Sequence, residues 1–255
     1  MKKISWIICA AGKGERFQKI GIRTAKPLIK IHNQTMLELA ISSLPIKAGD
    51  QLILVTLKSH QVKKLLARQI AKKYQKVEIR WIEIPKVTSG QLATSLIAIN
   101  KIKGQFNEQQ PIAIFNCDTY FKAPRFRQKI FAHDGIIPCA RASGASWSFC
   151  KSKGSTSKVL KVAEKQRISQ WASVGLYSFR SVPYFKKFAL MQLKAFARDQ
   201  SECYIAPLYN RLIENGGQIE LLKCSAFKPF GTPEQVRHYW GAISFQKICA
   251  EASCF

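Results

Sequence analysis

Four short apolar runs, at residues 3–10, 51–56, 77–82 and 111–116, alternate with stretches whose apolar residues recur at helical spacing. Runs of this length and composition suit strands buried on both faces of a sheet. The intervening stretches predict helices at 36–44, 59–74 and 91–102. Thr35-Met36-Leu37-Glu38 reads as a capping box ahead of the first of these, and Thr88-Ser89-Gly90 opens the third. The alternation predicts an α/β fold with a doubly wound sheet. Ligands of such sheets sit at the carboxyl ends of the strands. The loop after residue 10 and Asp118 after the fourth run therefore belong on one edge.

From about residue 135 the pattern changes. Strand-like pieces follow at 136–140, 147–150, 158–164 and 171–179, separated by turns rich in Gly, Ser and Lys. Helices are expected at 182–198 and 204–215, the latter stopped by Gly216-Gly217, with a strand at 218–222. Thr232-Pro233-Glu234-Gln235 is a helix start with Pro at the first helical position and Gln235 completing a box. No internal repeat and no long linker divides the chain, which reads as a single domain over 1–255.

No apolar run approaches the roughly 20 residues that span a bilayer. The start, Met1-Lys2-Lys3-Ile4, leads into a first strand rather than a signal peptide, so a cytoplasmic protein without membrane insertion is expected. The eight cysteines, at 9, 117, 139, 150, 203, 224, 249 and 254, include no C-x-x-C pair, which argues for reduced core thiols over a structural zinc. The charge is unusual: 41 Lys and Arg against 15 Asp and Glu, a net +26. It favours polyanionic partners in general. It is spread along the chain without a basic tail, and its densest part, Lys64, Arg68, Lys72 and Lys76 at four-residue spacing, reads as a solvated helix face. No aromatic interleaving points to nucleic acid.

The chemistry starts at the first loop, Ala10-Ala11-Gly12-Lys13-Gly14-Glu15-Arg16-Phe17. Two glycines let the backbone turn sharply and approach a ligand, and the N–H groups of such a loop can cradle phosphate oxygens beside Lys13 and Arg16. It is neither a Walker A motif nor a full G-x-G-x-x-G, and alone it suggests no more than a phosphate ligand or a tight turn.

This loop, followed by Lys26-Pro27-Leu28-Ile29 and Met36-Leu37, resembles the signature of the sugar-phosphate nucleotidyltransferase family, which includes glucose-1-phosphate thymidylyltransferases, guanylyltransferases and small cytidylyltransferases. The resemblance extends over nearly the whole chain. Thr88-Ser89-Gly90-Gln91-Leu92-Ala93-Thr94 looks like the family's base-recognition turn, and Asn116-Cys117-Asp118 like its strand-end metal aspartate. Ala163-Glu164-Lys165 is similar to its acceptor-binding Glu-Lys pair. Ala172–Phe179 is similar to its G-x-Y-x-F strand, and Gly231-Thr232-Pro233-Glu234 to its C-terminal turn.

The resemblance implies a Rossmann-like, GT-A-like mixed sheet, with residues 1–134 as a nucleotide-binding half and 135–255 as an acceptor-binding half that includes a small β-rich part. It implies an Mg²⁺-dependent nucleotidyltransferase that couples a nucleoside triphosphate to a sugar 1-phosphate or similar small phosphorylated acceptor, releasing pyrophosphate. Arg16, Lys26 and Asp118 would be catalytic, with Asp118 the metal ligand. Ala10, Ala11, Gly12, Lys13, Gly14, Ser89 and Gly90 would bind nucleotide, and Glu164, Lys165 and Gly175 the acceptor. The physics agrees: two polyanions must meet, so cations and a metal ion are needed, while an ionised acceptor phosphate needs no general base.

One departure stands out. Many relatives carry a second metal-binding aspartate where this chain has Pro229. Either one carboxylate suffices, or Glu164 or Glu202 compensates, or catalysis is weakened. Glu202-Cys203-Tyr204-Ile205-Ala206-Pro207-Leu208-Tyr209-Asn210 resembles the small family members of capsule and lipopolysaccharide loci, which implies a role in surface polysaccharide synthesis. The alternatives are a catalytically lapsed nucleotide-binding protein, suggested by Pro229, and a basic nucleic-acid-binding protein, suggested by the charge and disfavoured by the absence of a motif. CTP, UTP, dTTP and GTP all stay open as substrates.

Overall fold

A computed structural model describes residues 2–199 and 203–253, and all elements and contacts below are those of the described residues. The first part of the chain runs β1 (Ser5–Ala10), α1 (Glu15–Gln18), the hairpin strands β2 (Lys30–Ile31) and β3 (Gln34–Thr35), α2 (Met36–Ser42), β4 (Gln51–Leu57), α3 (Val62–Lys73), β5 (Glu78–Ile84), α4 (Gln91–Lys101) and β6 (Ile112–Phe115). Then come β7 (Thr119–Lys122), α5 (Phe126–Lys129), β8 (Gly135–Arg141), β9 (Ser148–Ser152), β10 (Val159–Glu164), β11 (Trp171–Ser173) and β12 (Leu176–Phe179). The chain ends with α6 (Val182–Asp199), α7 (Leu208–Glu214), β13 (Ile219–Lys223), β14 (Ala226–Pro229), α8 (Pro233–Trp240) and α9 (Ala242–Ser253).

The expected doubly wound sheet is present. Its strand order is β12-β6-β1-β4-β5, parallel except that β12 runs antiparallel to β6. Successive strand side chains point to opposite faces, and the core divides accordingly. Trp6 and Ile8, with Leu52 and Leu54, pack with Leu39 and Ile41 of α2 and Leu66 and Ile70 of α3. Ile7, Ile53, Val55 and Ile114 pack with Leu92, Leu96 and Ile99 of α4 and Phe185 and Phe188 of α6. Both faces of the sheet are thus sealed from water, each fully buried large side chain contributing about 1.5–3 kcal/mol. Strand β1 becomes the central staff from which the first loop emerges.

The later β-rich region forms a second sheet, β10-β9-β11-β8-β13, in which β13 is parallel to β8. A ribbon of β14 on β7 sets Pro229 opposite Thr119, and the Phe230 N–H donates to the Asp118 carbonyl at 2.9 Å. The C-terminal Gly-Thr turn is thereby carried to the end of β6.

Three expectations change. The run 171–179 is not one strand: β11 belongs to the second sheet and β12 to the first. Gly175 between them has φ +84°, and a Cβ there would fall 2.3 Å from the Asn116 amide. Only glycine allows that turn and that packing together. The helix expected at 59–74 is broken at Gln61, in the left-handed region at φ 51°, leaving a single turn before α3. The helix expected from 204 starts only at Leu208. Pro207 disfavours a helical residue before it, and the Leu208 N–H instead closes a turn on Ile205.

Local signals elsewhere match. Thr35 and Glu38 form both bonds of the capping box, the Glu38 N–H donating to Thr35 Oγ1 at 3.3 Å and the Thr35 N–H to Glu38 Oε2 at 3.0 Å. At α8 the box is displaced: Thr232 accepts from the Gln235 N–H, but Gln235 Oε1 accepts from Gly231, one residue before the cap. Lys64, Arg68 and Lys72 are exposed on α3 while Val62, Leu66 and Ile70 are buried, and Lys76 lies past the helix end. No helix among the described residues is long and apolar enough to cross a membrane.

Candidate active site

The first loop leaves β1 at Ala10 and turns into α1 at Gly14, whose φ is +74°. A Cβ on Gly14 would approach Lys26 Cβ to 3.0 Å, so the bare backbone lets the loop lie against Lys26. Phe17, fully buried, anchors α1 beneath the loop. Lys26 itself opens a 3₁₀ turn that Pro27 stiffens.

Asp118 reaches the same edge from β6, through Cys117 at φ 59°. Lys26 Nζ and Asp118 Oδ2 are 3.2 Å apart, although 92 residues separate them. Both side chains keep about a quarter of their surface open, 21% and 27%. Gly231 completes this point: a Cβ there would sit 3.0 Å from Asp118 Oδ2.

Two cavities meet at Asp118. One, of about 270 Å³, is lined by Ala10, Ala11, Gly12, Lys26, Thr88 and Gly90, with Cys9 and Cys117 in its wall. The other, of about 340 Å³, is lined by Arg16, Glu164, Lys165, Gly175, Tyr177 and Tyr204, with Trp147 and Pro229. Gln91, Asn116 and Asp118 line both. Lys13, Gly14 and Arg16 line a more open groove that continues to Lys26 and Gly231.

The structure therefore gathers Ala10, Ala11, Gly12, Gly90 and Lys26 on one side of Asp118, and Arg16, Glu164, Lys165 and Gly175 on the other. Lys13 is exposed and faces Glu15 at 3.5 Å. Ser89 is not among the residues lining these three spaces; its carbonyl accepts from the Cys203 N–H at 2.8 Å. Gly90 is required by the same contact, because a Cβ at its φ of +145° would meet the Cys203 carbonyl at 2.6 Å.

The cavity walls hold their protons. Burial pushes the Cys9 and Cys117 thiols up to about 12, with Ser95 opposing at Cys9 and the Lys26 charge opposing at Cys117. Neither is a nucleophile near neutral pH. Burial likewise raises the Tyr177 hydroxyl far above its usual value, and it rests 3.3 Å from Ser148 Oγ. Ser148 donates to Glu164. Lys165 donates to the Tyr204 hydroxyl at 2.5 Å and lies 4.8 Å from that ring's centroid. Glu234, on the exposed first turn of α8, is held below the usual carboxylate range by the Thr232 hydroxyl, then by its own N–H, with Arg16 adding to the effect.

Gln91, Asn116, Thr88, Trp147 and Tyr204 also line the site, although none is among the individual site residues that the motifs imply. Asn116 and Gln91 lie within the quoted motifs, two residues before Asp118 and one after Gly90. Tyr204 lies in the quoted 202–210 segment that precedes α7, and Trp147 carries no local signal and is recruited at the edge of the second sheet.

For a divalent cation the donor set is small. Among the described residues no three His, Cys, Asp or Glu side chains form a metal-holding group. Pro229 faces the cavity without a carboxylate, and its carbonyl accepts from Trp240 Nε1 at 3.2 Å. Glu164 lines the cavity with Asp118, and Glu202 lies outside the described residues. One partly open carboxylate fits a cation that draws its remaining ligands from phosphate and water, as Mg²⁺ does.

The pattern "Nucleotidyl transferase" matches residues 5–218. The chain belongs to the nucleotidyl transferase family. Among solved structures, it is similar to a nucleoside-diphosphate-sugar pyrophosphorylase from Vibrio cholerae, at 26% identity and a TM-score of 0.80, covering 92% of this chain and 99% of that one. A candidate glucose-1-phosphate thymidylyltransferase of Bacillus anthracis shares the fold at 18% identity and a TM-score of 0.71, over 99% of this chain and 96% of that one. So does the inositol-1-phosphate CTP transferase of T. maritima, at 12% and 0.66, over 98% and 96%. No curated protein sequence matches the chain. This nucleotidyltransferase thus has the Rossmann-like mixed α/β fold that its motifs imply.

Proposed function

We propose that this nucleotidyltransferase couples a nucleoside triphosphate to a sugar 1-phosphate, or a similarly small phosphorylated acceptor, with release of pyrophosphate. The observation that carries the reading is the Lys26–Asp118 pair at the seam between two cavities, one on the loop side and one on the second sheet. The similarity to the Vibrio cholerae pyrophosphorylase supports the acceptor class.

Ala10, Ala11, Gly12, Lys13 and Gly14 hold the triphosphate through backbone N–H groups and charge, and Gly90 shapes the base side, with Ser89 behind it fixing the turn through its carbonyl contact with Cys203. Glu164, Lys165 and Gly175 bind the acceptor. An acceptor phosphate oxygen attacks the α-phosphorus, a new P–O bond forms, the α–β bond breaks and pyrophosphate leaves with the electron pair. Lys26 and Arg16 neutralise the meeting phosphates and the charge that builds in the transition state. Asp118 would hold Mg²⁺, which supplies further charge neutralisation to the phosphate oxygens. The acceptor phosphate is ionised at neutral pH, so no side chain has to remove a proton, in keeping with the protonated thiols and phenol of the cavity walls.

In this reading residues 1–134 serve the nucleotide and 135–255 the acceptor within one domain, and the product supplies surface polysaccharide or lipopolysaccharide synthesis in the cytoplasm. The test is a matrix of CTP, UTP, dTTP and GTP against hexose 1-phosphates and small phosphorylated alcohols, read by pyrophosphate release with and without Mg²⁺. One pair should stand well above the rest and require the metal. Binding of triphosphate without release for any pair would make the chain a nucleotide-binding protein instead.

A further inference from the structure

Two side-chain atoms on the wall shared by both cavities are buried and have no hydrogen-bond partner in the protein: Gln91 Nε2 and Asn116 Oδ1. Buried polar groups are almost always paired, so an orphan on a cavity wall points to a ligand. The other such atoms among the described residues, on Thr56 and His60, belong to residues that do not line these cavities, and Glu220 Oε2 lies 2.8 Å from His133 Nε2.

Packing fixes the Asn116 amide, and a main-chain bond fixes the backbone from which Gln91 projects. The Asn116 side chain packs where a Cβ of Gly175 would otherwise stand. The Gln91 carbonyl, at the start of α4, accepts from Ser95 Oγ at 2.7 Å. Their needs are complementary, since Nε2 donates and Oδ1 accepts. A hydroxyl has both a proton to donate and lone pairs to accept, whereas an ionised phosphate oxygen only accepts and a quaternary ammonium does neither. Asn116 stands two residues from Asp118, which marks the reacting phosphate, and its amide lies against Gly175, which lines the acceptor-side cavity and not the other.

We infer that Gln91 and Asn116 read an acceptor hydroxyl on the carbon next to the phosphate-bearing one, and so select polyhydroxy phosphates over phosphorylated amino alcohols. The inference rests on the function proposed above and names its acceptor class.

The test uses the hexose 1-phosphate that the full-length enzyme turns over best, and its 2-deoxy counterpart. In the wild type, kcat/KM should fall roughly 10- to 100-fold for the deoxy sugar, because both amides are left unpaired. In Asn116→Leu the two sugars should be used within about twofold of each other, with KM for the triphosphate unchanged. Gln91→Met, which keeps volume and helix propensity, should narrow the ratio in the same way and serves if Asn116→Leu fails to fold. A wild-type ratio near one, or variants that slow both sugars by the same factor, would overturn the inference while leaving the sugar-phosphate reading intact. No pyrophosphate from any hexose 1-phosphate would overturn both.

Discussion

The first sheet carries an aspartate ion pair at each of its two ends, and the two are built on opposite plans. At the amino end Asp50 is fully buried. Its carboxylate accepts from the Ile4 N–H at 3.0 Å, Trp6 Nε1 at 3.0 Å and the Lys47 N–H at 2.9 Å, and it is gripped by Arg127 at 2.6 and 2.9 Å. At the carboxyl end Asp118 meets one lysine at 3.2 Å and the Thr119 hydroxyl at 3.4 Å, and faces two cavities whose shared wall carries the unpaired Gln91 Nε2 and Asn116 Oδ1. A saturated carboxylate has no capacity left for a ligand, so Asp50 fastens the first strand to its neighbours. An unsaturated one keeps lone pairs for a substrate or cation, which is the role proposed for Asp118. The same residue type in the same sheet is thus structural or functional according to how many donors surround it.

Mutation can break this comparison at its strongest point first. Asp50→Ala leaves a mostly buried guanidinium and the Trp6 and Ile4 donors without a partner, and should cost about 3–5 kcal/mol in urea unfolding, with kcat of the folded fraction near wild type. A loss below 1 kcal/mol would remove the structural half of the contrast.

Lys26→Ala and Asp118→Asn should do the reverse. Each should lower kcat by roughly 10²–10³-fold, as expected for groups that stabilise transition-state charge, while the urea midpoint moves little. Wild-type turnover in both would show that the active centre lies elsewhere.

The smallest effect sharpens the picture of the pair itself. Cys117 feels Lys26, which lowers its thiol pKa, and Asp118, which raises it. Only the thiolate is alkylated, so iodoacetamide labelling of Cys117 near pH 9 should quicken in Asp118→Asn and slow in Lys26→Met. Equal rates in the two variants would mean that neither charge lies near the thiol in solution.

Legibility followed the range of the interactions involved. The strands of the first sheet, the capping box at Thr35 and the exposed stripe of α3 depend on neighbours within a few residues, and these are readable from spacing alone. Lys26, Asp118, Glu164, Lys165 and Gly175 were legible because each lies in a motif with a physical purpose, and the fold brings them to one edge. Asn116 stood in plain view beside Asp118, but its importance lies in what it lacks, and a missing partner is invisible until the surroundings are built. The split of 171–179 between two sheets was hidden for a similar reason. Alternating apolar residues describe a strand equally well whether it continues or changes sheets, and what forces the change is an amide 59 residues upstream lying against Gly175.

By itself, then, the sequence determined the strand–helix alternation, the phosphate-suited loop and the family to which the chain belongs, because these rest on local periodicity and on residues fixed within short motifs. Only the tertiary structure decided which aspartate is saturated and which is open, where the two cavities join, and which polar atoms are left for a ligand. Those properties depend on groups tens of residues apart whose distances are set by the packing of the sheets, and no spacing along the chain encodes them.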